Sequence, residues 1–407
     1  MALSGLSSIR TAGVALCVLC IVILVTEYSG LNNNTVYMSV ETSQDKASDV
    51  QGIQRAHDEA DFSTTKTILA YSKSRWLNEW VGRRWDTTEV FKSCPLSTNC
   101  ILTLNKSLVD DADAVMINWL TLCRHWKKQR SQVWIMFEFE SPDYNARYEK
   151  KRCWRNKVVN WTLTYRRDSD FSLVHGLFHP QDTGYNVDEK LLRSKSKTAV
   201  GFISHCNASS KREKFIRALR SHGVDIDIFG RCGNLRCGGE FNTKWKGVWN
   251  VTSDHQDHCF DVLDNRYKFY LSFENSLCKD YVTEKSLHLV LRHQIVPLIR
   301  DGANRTLYHP PHSFLDTKNF KSVKELANRI KFLSNNFDSY LKFFQWKKKY
   351  TIGTVSGVLQ SIFCDMCHRL HHQHKYTRLY RNLKNFYTNS HDTHDDEGIC
   401  KTPHDII

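Results

Sequence analysis

Short apolar and β-branched runs alternate with helical patterns along most of this chain, and this alternation constrains the fold more than any other feature. The early runs predict strands at 67–71, 101–104, 114–117 and 132–137. Later, strands at 198–203, 224–229, 269–273 and 295–299 are interleaved with helices at 209–222, 282–293, 323–333 and 337–349. Such alternation predicts an α/β protein with parallel sheets covered on both faces. Ligands of such sheets bind beyond the carboxyl ends of the strands.

An almost uncharged segment precedes the first strand. Between Ala2 and Thr26 the only charge is Arg10, and residues 11–25 are almost wholly apolar. Because no small-x-small cleavage pattern follows, the segment favours an uncleaved membrane anchor over a cleaved signal peptide. Arg10 before the run and Glu27 after it predict a cytosolic N-terminus and a lumenal remainder, which is type II topology.

The remaining organisation follows from composition and from the length of 407 residues, which suits two lobes and an appendage. Residues between the anchor and the first strand are rich in Ser, Thr, Asn, Gln and Asp, as is typical of a flexible stem. We therefore predict a cytoplasmic tail at 1–10, a transmembrane signal-anchor at 11–26, a stem at 27–66, an N-terminal lobe at 67–190, a C-terminal lobe at 191–350 and a Cys/His-rich C-terminal region at 351–407.

The 14 cysteines favour an oxidising compartment. Excluding Cys17 and Cys20, which lie in the anchor, leaves an even number for disulfides. Cys364 and Cys367 either pair with each other or form two bridges that close the C-terminal region; their Cys-x-x-Cys-His pattern also fits haem attachment or zinc, which lumenal placement disfavours. Candidate local bridges are Cys94 with Cys100 and Cys232 with Cys237. N-glycosylation sequons are at Asn33, Asn105, Asn160, Asn207, Asn250 and Asn304, in agreement with lumenal placement.

The net charge of +14 predicts an anionic partner, which could be nucleic acid, a membrane surface or a phosphorylated small molecule. Basic runs at 127–130 and 347–349 adjoin Trp126 and Trp346, as in some nucleic-acid contacts. A lumenal chain does not meet nucleic acid, so we predict no partner of that class.

The densest polar cluster follows the predicted strand that ends at Phe273. Amide, hydroxyl and carboxylate side chains at 274–276 precede a predicted helix that begins near Tyr281, with Glu284 and Lys285 in its first turn. A helix N-terminus presents free N–H groups to an anion, and its dipole disfavours a lysine there unless a phosphate is bound. The alternative is an ordinary capped helix start with a solvated lysine.

The run 267–285, with 139–142, 160–170, 209–215, 224–227 and Cys364-x-x-Cys367, strongly resembles the α1,3-fucosyltransferases of glycosyltransferase family 10. The resemblance spans about 66–372. It implies a GT-B fold, in which two Rossmann-like lobes face each other across a cleft, the first binding the acceptor and the second GDP-β-L-fucose. It also implies transfer with inversion to O3 of an N-acetylglucosamine, in the Golgi membrane.

The resemblance implies a role for six residues. Glu140, which precedes Ser-Pro, matches the family's proposed general base, and burial after a strand would raise its pKa toward working pH. The alternative is a glutamate that only orders the Ser-Pro turn. The residues that match donor-binding positions are Arg212, Asn275, Tyr281, Glu284 and Lys285, of which Arg212 and Lys285 would hold the diphosphate.

Three further points concern metal, lobe contacts and acceptor. Asp168-Ser169-Asp170 and Asp225-Ile226-Asp227 match the weak Asp-x-Asp metal pattern, but the resemblance implies no obligatory metal, with Mn²⁺ at most a stimulator. The ionic segment 165–170 either lines the cleft or ties the lobes together, and we favour the structural role. Residues 117–119, Ile-Asn-Trp, replace the His-His-Trp or His-His-Arg element usual in vertebrate antennary enzymes, which argues against an α1,4 or vertebrate-like acceptor preference. Antennary LacNAc, LacdiNAc and the innermost GlcNAc of the N-glycan core all stay open as acceptors.

Overall fold

The structure is a computed structural model of the whole chain. It describes residues 64–72, 77, 81, 87–119, 121–123, 131–145, 158–175, 177–182, 184–235, 261–286, 291–388 and 399–403. The predicted tail and anchor, and the stem as far as residue 63, lie outside the described residues. Within the described part of the chain, no helix combines the length and the apolar character that crossing a bilayer requires.

The described residues form thirteen strands and eight α-helices. The strands are β1 Lys66–Ala70, β2 Cys100–Thr103, β3 Ala114–Asn118, β4 Val133–Glu138, β5 Trp161–Thr164, β6 Phe171–Ser172, β7 Phe178–Pro180, β8 Lys197–Phe202, β9 Ile226–Phe229, β10 Tyr267–Phe273, β11 Val296–Arg300, β12 Leu315–Asp316 and β13 Tyr350–Ile352. The α-helices are α1 Pro142–Asn145, α2 Glu189–Ser194, α3 Arg212–Ser221, α4 Asp261–Asn265, α5 Val323–Asn335, α6 Phe337–Leu341, α7 Val355–His371 and α8 Leu383–Thr388.

The first sheet contains six strands in the order β2-β1-β3-β4-β5-β6, and every neighbouring pair is parallel. Its order reverses between β1 and β3, since β2 lies on one side of β1 and the later strands lie on the other. The strands are rich in Val, Ile, Leu and Met, and all six residues of β4 are buried. Near-continuous burial of this kind is what covering both faces of a parallel sheet requires.

The second sheet contains five parallel strands in the order β12-β11-β10-β8-β9. Its order reverses between β8 and β10, and a crevice opens at such a point beyond the carboxyl ends of the strands. A short antiparallel pair, β7 with β13, stands apart from both sheets. The α/β class with parallel sheets predicted from the sequence is confirmed.

Helices cover both faces of each sheet. On the first sheet, α7 contributes Phe363 and Met366 to a core with Ile68, while α8 contributes Phe386 to the core on the opposite face. On the second sheet, α3 and α5 pack on one face and Leu263 of α4 packs on the other. The predicted helix at 337–349 is an α-helix only as far as Leu341, and Lys342–Lys348 continues it as a 3₁₀ helix.

Disulfides connect segments that lie far apart in the sequence. Cys94 pairs with Cys364 and Cys100 pairs with Cys367, so two bridges fasten α7 to the start of the first sheet. The predicted pairing of Cys94 with Cys100 is therefore wrong, because both thiols face α7, on which residues three apart lie on one side of the helix. The predicted two-bridge closure of the C-terminal region is confirmed.

A third bridge joins Cys206 to Cys232, and a fourth joins Cys278 to Cys400. The predicted pairing of Cys232 with Cys237 is therefore wrong, because β8 and β9 are neighbours and the segments that follow them bring Cys206 beside Cys232. Cys237 itself lies outside the described residues.

Candidate functional site

Loops that follow β4 and β10 meet each other, and together they form the candidate site. Tyr281 donates a hydrogen bond from its hydroxyl to Oε2 of Glu140 over 3.0 Å. The hydroxyls of Ser141 and Ser276 are 2.6 Å apart, and Ser209 donates to the Ser276 hydroxyl over 3.2 Å. Both loops begin at carboxyl ends of parallel strands, where ligands of such sheets bind.

Glu140 lies two residues beyond β4 and is partly buried. Burial raises its pKa, and the negative charge of Glu284 adds to this effect. The positive charge of Lys285 and the hydrogen bonds from Tyr281 and Asn275 act in the opposite direction. A carboxylate whose pKa is raised by burial, and whose ionised form accepts hydrogen bonds from its neighbours, can act as a general base.

The main chain of Glu140 is fixed on both sides. Its N–H donates to Oε1 of Glu138 over 3.0 Å, and its carbonyl accepts a short hydrogen bond from the Tyr387 hydroxyl. Burial raises the pKa of Glu138 to about 7. Sequence reasoning missed Glu138, although an acidic residue that ends an otherwise apolar strand was a visible signal.

Three ionic side chains form a buried cluster in the loop after β10. Lys285 Nζ lies 3.1 Å from Glu274 Oε2 and 3.3 Å from Glu284 Oε1. Burial disfavours the ammonium, but the two carboxylates together raise the pKa of Lys285 above its ordinary value. Burial also opposes ionisation of Glu284, yet the adjacent lysine charge lowers its pKa. Glu274, missed as a site residue, accepts from both the N–H and the hydroxyl of Thr283 at 2.8 Å.

Arg212 begins α3 and is 2% exposed. Two of its guanidinium nitrogens donate to main-chain carbonyls, Nη1 to Phe273 at 2.9 Å and Nη2 to His205 at 2.7 Å. Its Nε lies 3.7 Å from a Glu213 oxygen and has no hydrogen-bond partner among the described residues. The two bonds orient the guanidinium, and its Nε–H is left for another group.

The predicted helix at 282–293 is absent from its described residues. Residues 281–286 form irregular chain and turns, and 291–294 form turns. Thr283 bonds to the Glu274 side chain instead of making helical bonds, and side-chain acceptors of this kind compete with a helix. The predicted helix N-terminus near Tyr281, and the anion site based on it, are therefore wrong; Lys285 is held by two carboxylates instead.

The segment 399–401, near the C-terminal end of the chain, acts as a clamp: it is hydrogen-bonded and disulfide-bonded to the loop that leads to Tyr281. The N–H of Lys279 donates to the carbonyl of Ile399 and the N–H of Lys401 donates to the carbonyl of Leu277, both over 2.9 Å, on either side of the Cys278–Cys400 bridge. Gly302 packs beneath this loop, where an added Cβ would lie 2.3 Å from the Cys278 carbonyl oxygen.

Asp280, directly before Tyr281, has a left-handed backbone with φ of 62°. Its carboxylate accepts from the Tyr308 hydroxyl at 3.0 Å and from the N–H of Arg167 at 3.3 Å. Non-glycine residues in this region are strained, and such strain persists only where the surroundings over-determine it. The loop therefore presents Tyr281 in a fixed orientation.

The ionic segment at 165–170 acts mainly in structure. Arg166 pairs with Asp168 and donates to the carbonyl of Phe386, while Asp170 accepts from the N–H of Thr162. Tyr165 is the exception, because its ring packs edge-on against Tyr281 at 4.9 Å. Neither Asp-x-Asp segment contributes to the candidate site, and Asp227 instead accepts from the Tyr267 hydroxyl at 2.7 Å.

Metal-ligating side chains come close together in two groups of the described chain, Cys100 with Cys367 and His371, and Asp143 with Cys278 and Cys400. In both groups the cysteines are disulfide-bonded, and a disulfide sulfur is not the thiolate that binds a metal.

The described N-glycosylation sequons differ in solvent exposure. Asn105, Asn207 and Asn304 are exposed. Asn160 instead accepts the N–H of Trp134 through its side-chain oxygen at 3.0 Å, and Thr162 of the same sequon is fully buried. Asn33 and Asn250 lie outside the described residues.

The predicted site residues are all brought together. Glu140, Tyr281, Asn275, Glu284 and Lys285 interact directly or through their charges, and Arg212 is close enough for its charge to affect Lys285. The site combines a carboxylate of raised pKa after β4 with Lys285 in the loop after β10 and Arg212 at the start of α3, an arrangement suited to transferring a group from a phosphorylated donor to a hydroxyl.

Comparison with known proteins identifies two adjoining family matches. Residues 63–176 match the model described as fucosyltransferase, N-terminal, and residues 192–386 match glycosyltransferase family 10 (fucosyltransferase) C-term. The chain is also similar to a crystal structure of an alpha1,3-fucosyltransferase with GDP-fucose, at 15% sequence identity and a TM-score of 0.42, covering 78% of this chain and 94% of that one.

Curated relatives include three invertebrate proteins. Glycoprotein 3-alpha-L-fucosyltransferase A of Drosophila melanogaster is 29% identical over 345 residues, covering 83% of this chain and 62% of the relative. Alpha-(1,3)-fucosyltransferase fut-1 of Caenorhabditis elegans is 31% identical over 314 residues, covering 74% of this chain and 66% of the relative. Alpha-(1,3)-fucosyltransferase C of Drosophila melanogaster is 31% identical over 372 residues, covering 83% of this chain and 81% of the relative.

The chain spans less than two thirds of the length of the first two relatives and about four fifths of the third. The two family matches follow one another along the chain and include all six predicted site residues. The predicted membership is confirmed: this chain belongs to glycosyltransferase family 10, the fucosyltransferases.

Proposed function

We propose that this chain is an inverting α1,3-fucosyltransferase that moves L-fucose from GDP-β-L-fucose to O3 of an N-acetylglucosamine in glycoprotein or glycolipid glycans. Nine buried side-chain polar atoms lack hydrogen-bond partners among the described residues, and the observation that carries the proposal is that three of them belong to the predicted site residues: Asn275 Oδ1, Glu284 Oε2 and Arg212 Nε. Buried polar groups are normally satisfied, so such atoms point to a ligand. The two acceptors suit sugar hydroxyls, and the donor suits a phosphate oxygen.

In the proposed reaction, Glu140 takes the proton of the acceptor hydroxyl while that oxygen attacks the anomeric carbon of fucose. A bond forms between the acceptor oxygen and this carbon, and the bond from the same carbon to the β-phosphate oxygen breaks, so that GDP leaves with the electron pair. Lys285 and Arg212 stabilise the charge that develops on the departing diphosphate. One in-line displacement inverts the β-linked donor to an α-linked product.

The surrounding charges fit this assignment. Glu140 is ionised more readily because Lys285 and Tyr281 favour its carboxylate, yet burial keeps its pKa above that of a solvated glutamate. We propose a GT-B arrangement in which the two sheets face each other across this site. We also propose that protein cations serve the diphosphate without an obligatory metal, so EDTA should leave transfer intact and Mn²⁺ should at most stimulate it.

The proposal extends to location and acceptor. The apolar run at 11–26 and the exposed sequons support a single-pass type II protein of the Golgi membrane, with its catalytic part in the lumen. The acceptor is either an antennary LacNAc or LacdiNAc unit or the innermost GlcNAc of the N-glycan core. Transfer to a mixed panel of these glycans, with products identified by mass spectrometry, distinguishes them.

The test of the activity is transfer from GDP-fucose by wild type, Glu140→Gln and Asp143→Asn. Asp143 is an exposed acid in α1, three residues from Glu140, and serves as the matched control. Wild type and Asp143→Asn should form an α-linked product, and Glu140→Gln should bind GDP normally but lose about two to four orders of magnitude in kcat. Equal turnover by Glu140→Gln would refute the base, and glycan binding without turnover in the wild type would favour an inactive family member.

A further inference from the structure

Glu138 is a buried carboxylate beside the site to which the proposed reaction gives no role. It is 6% exposed and ends β4. Its Oε1 accepts two main-chain N–H groups, those of Phe139 and Glu140, each over 3.0 Å. Its Oε2 accepts from the Asn118 side chain over 3.2 Å, and the Asn145 side chain also hydrogen-bonds to the Glu138 carboxylate.

This carboxylate belongs to a network that surrounds Glu140. The Asn145 side chain donates to the Tyr387 hydroxyl over 2.9 Å, and that hydroxyl donates in turn to the Glu140 carbonyl. Trp119 packs on the Tyr387 ring at 4.8 Å. The Glu138 carboxylate therefore holds the N–H of Glu140, the Tyr387 hydroxyl holds its carbonyl, and Asn145 hydrogen-bonds to both side chains.

A serine or asparagine could accept the same N–H groups without the cost of burying a charge, so the carboxylate itself calls for an explanation. The titratable groups that face Glu138 are Glu140 on its own loop, Tyr165 after β5 and Tyr387 in α8. Burial raises the pKa of both tyrosines and keeps them neutral, so Glu140 is the facing group whose negative charge acts on Glu138.

The interaction between the two glutamates is reciprocal. The negative charge of Glu140 adds to burial in raising the pKa of Glu138 to about 7. By linkage, ionisation of Glu138 makes Glu140 hold a proton more tightly and so makes it a stronger base. A Glu138 pKa of about 7 places this change in the neutral pH range.

We propose that Glu138 is a positioning residue that orients the general base through the N–H groups of Phe139 and Glu140, and that its ionisation strengthens that base. The inference rests on the proposed function and deepens it. It predicts two separable effects, one of geometry and one of charge, and single substitutions isolate each of them.

Glu138→Gln keeps Oε1, which accepts the two N–H groups, replaces Oε2 by an amide NH₂ group and removes the charge. Its kcat should match the wild type within about twofold at pH 6, where Glu138 is protonated, and should fall to about a third of the wild type at pH 8. The factor of about three follows if ionised Glu138 raises the pKa of Glu140 by about one unit and the rate depends on base strength with a Brønsted slope of about one half. Glu138→Asp keeps the charge but is one methylene shorter, so its kcat should fall by a similar factor at both pH values. The KM for GDP-fucose should stay unchanged in both.

The experiment measures kcat and KM for wild type, both variants and the control Asp143→Asn across pH 6–8. A ratio of Glu138→Gln to wild type that is constant with pH, or a loss that appears in the GDP-fucose KM instead of kcat, would overturn the inference. Wild type that transfers no fucose would refute the proposed function and the inference together. If Glu138→Asp is unstable, the pH dependence of Glu138→Gln alone decides.

Discussion

Removal of the Tyr281 hydroxyl should move the acid limb of the activity profile to higher pH. In Tyr281→Phe, Glu140 loses the hydrogen bond that it accepts over 3.0 Å, while the ring can still pack against Tyr165 at 4.9 Å. Burial raises the pKa of the Tyr281 phenol well above its ordinary value, so the hydroxyl remains a neutral donor throughout the working range. The substitution therefore removes one interaction that favours ionised Glu140.

The size of the effect follows from the bond. A hydrogen bond to a charged group contributes about 1.5–3 kcal/mol, and one pKa unit corresponds to about 1.4 kcal/mol. The Glu140 pKa, which burial already raises, should therefore rise by a further one to two units. Because the base must be ionised to accept a proton, kcat/KM should fall most at low pH and recover as the pH increases.

The assay is the pH dependence of kcat/KM for transfer from GDP-fucose, with Tyr308→Phe as the matched control. Tyr308 donates to Asp280 over 3.0 Å, so the control loses a buried phenol bond of equal length on the same loop, but not one to Glu140. Its acid limb should stay in place even if the thermal stability falls. An acid limb in Tyr281→Phe that does not move, or that moves to lower pH, would refute the reasoning.

Three further substitutions test other parts of the site. Cys400→Ser breaks the bridge to Cys278, so we expect a lower Tm and a higher KM for GDP-fucose; an unchanged KM would show that the clamp does not position the loop. Lys285→Met leaves Glu274 and Glu284 buried without their cation, and calorimetric titration should show GDP binding at least about tenfold weaker, whereas unchanged affinity would contradict the diphosphate role. The folded-state pKa of Glu138 is about 7 against 4.5 for a free glutamate, so the folded chain binds more protons between these values and wild-type stability falls as the pH rises through them. Glutamine does not titrate, so Glu138→Gln does not lose this stability, which amounts to about 3 kcal/mol in the wild type. The Tm of the variant should therefore rise relative to that of the wild type from pH 5 to pH 8, and a Tm difference that is constant with pH would contradict the shifted pKa.

The sequence predicts the strands well because buried parallel strands have a strong local signature. Residues 267–273 and 114–118 consist largely of apolar, β-branched or aromatic residues, and the predicted strands agree with β10 and β3 to within two residues. The predicted helix at 209–222 is likewise confirmed, with Arg212–Ser221 as its observed extent. Local pattern is sufficient for these elements because their own residues determine their burial.

Contacts between residues far apart in the chain could not be predicted from the sequence. Cys100 pairs with Cys367 because α7 crosses the first sheet, and spacing along the chain contains no information about that crossing. The helix predicted from Tyr281 gives way to a loop because Glu274 takes the bonds of Thr283. Glu138 is visible in the sequence as an acidic residue at the end of an apolar strand, but its role also depends on Asn118 and Asn145, which other elements bring beside it.

The two disulfides of α7 have a consequence for biosynthesis. They join residues 270 and 267 positions apart, whereas the whole second sheet lies between residues 197 and 316. At about 5–20 residues per second, a ribosome needs roughly 15–50 s to pass from Cys94 to Cys364. During this interval the first strands wait with free thiols and an uncovered apolar face, while the second sheet can already close. The first sheet is therefore synthesised first, but α7 covers it only after the second sheet has been made, so its apolar face and its thiols are exposed for the longest time during synthesis.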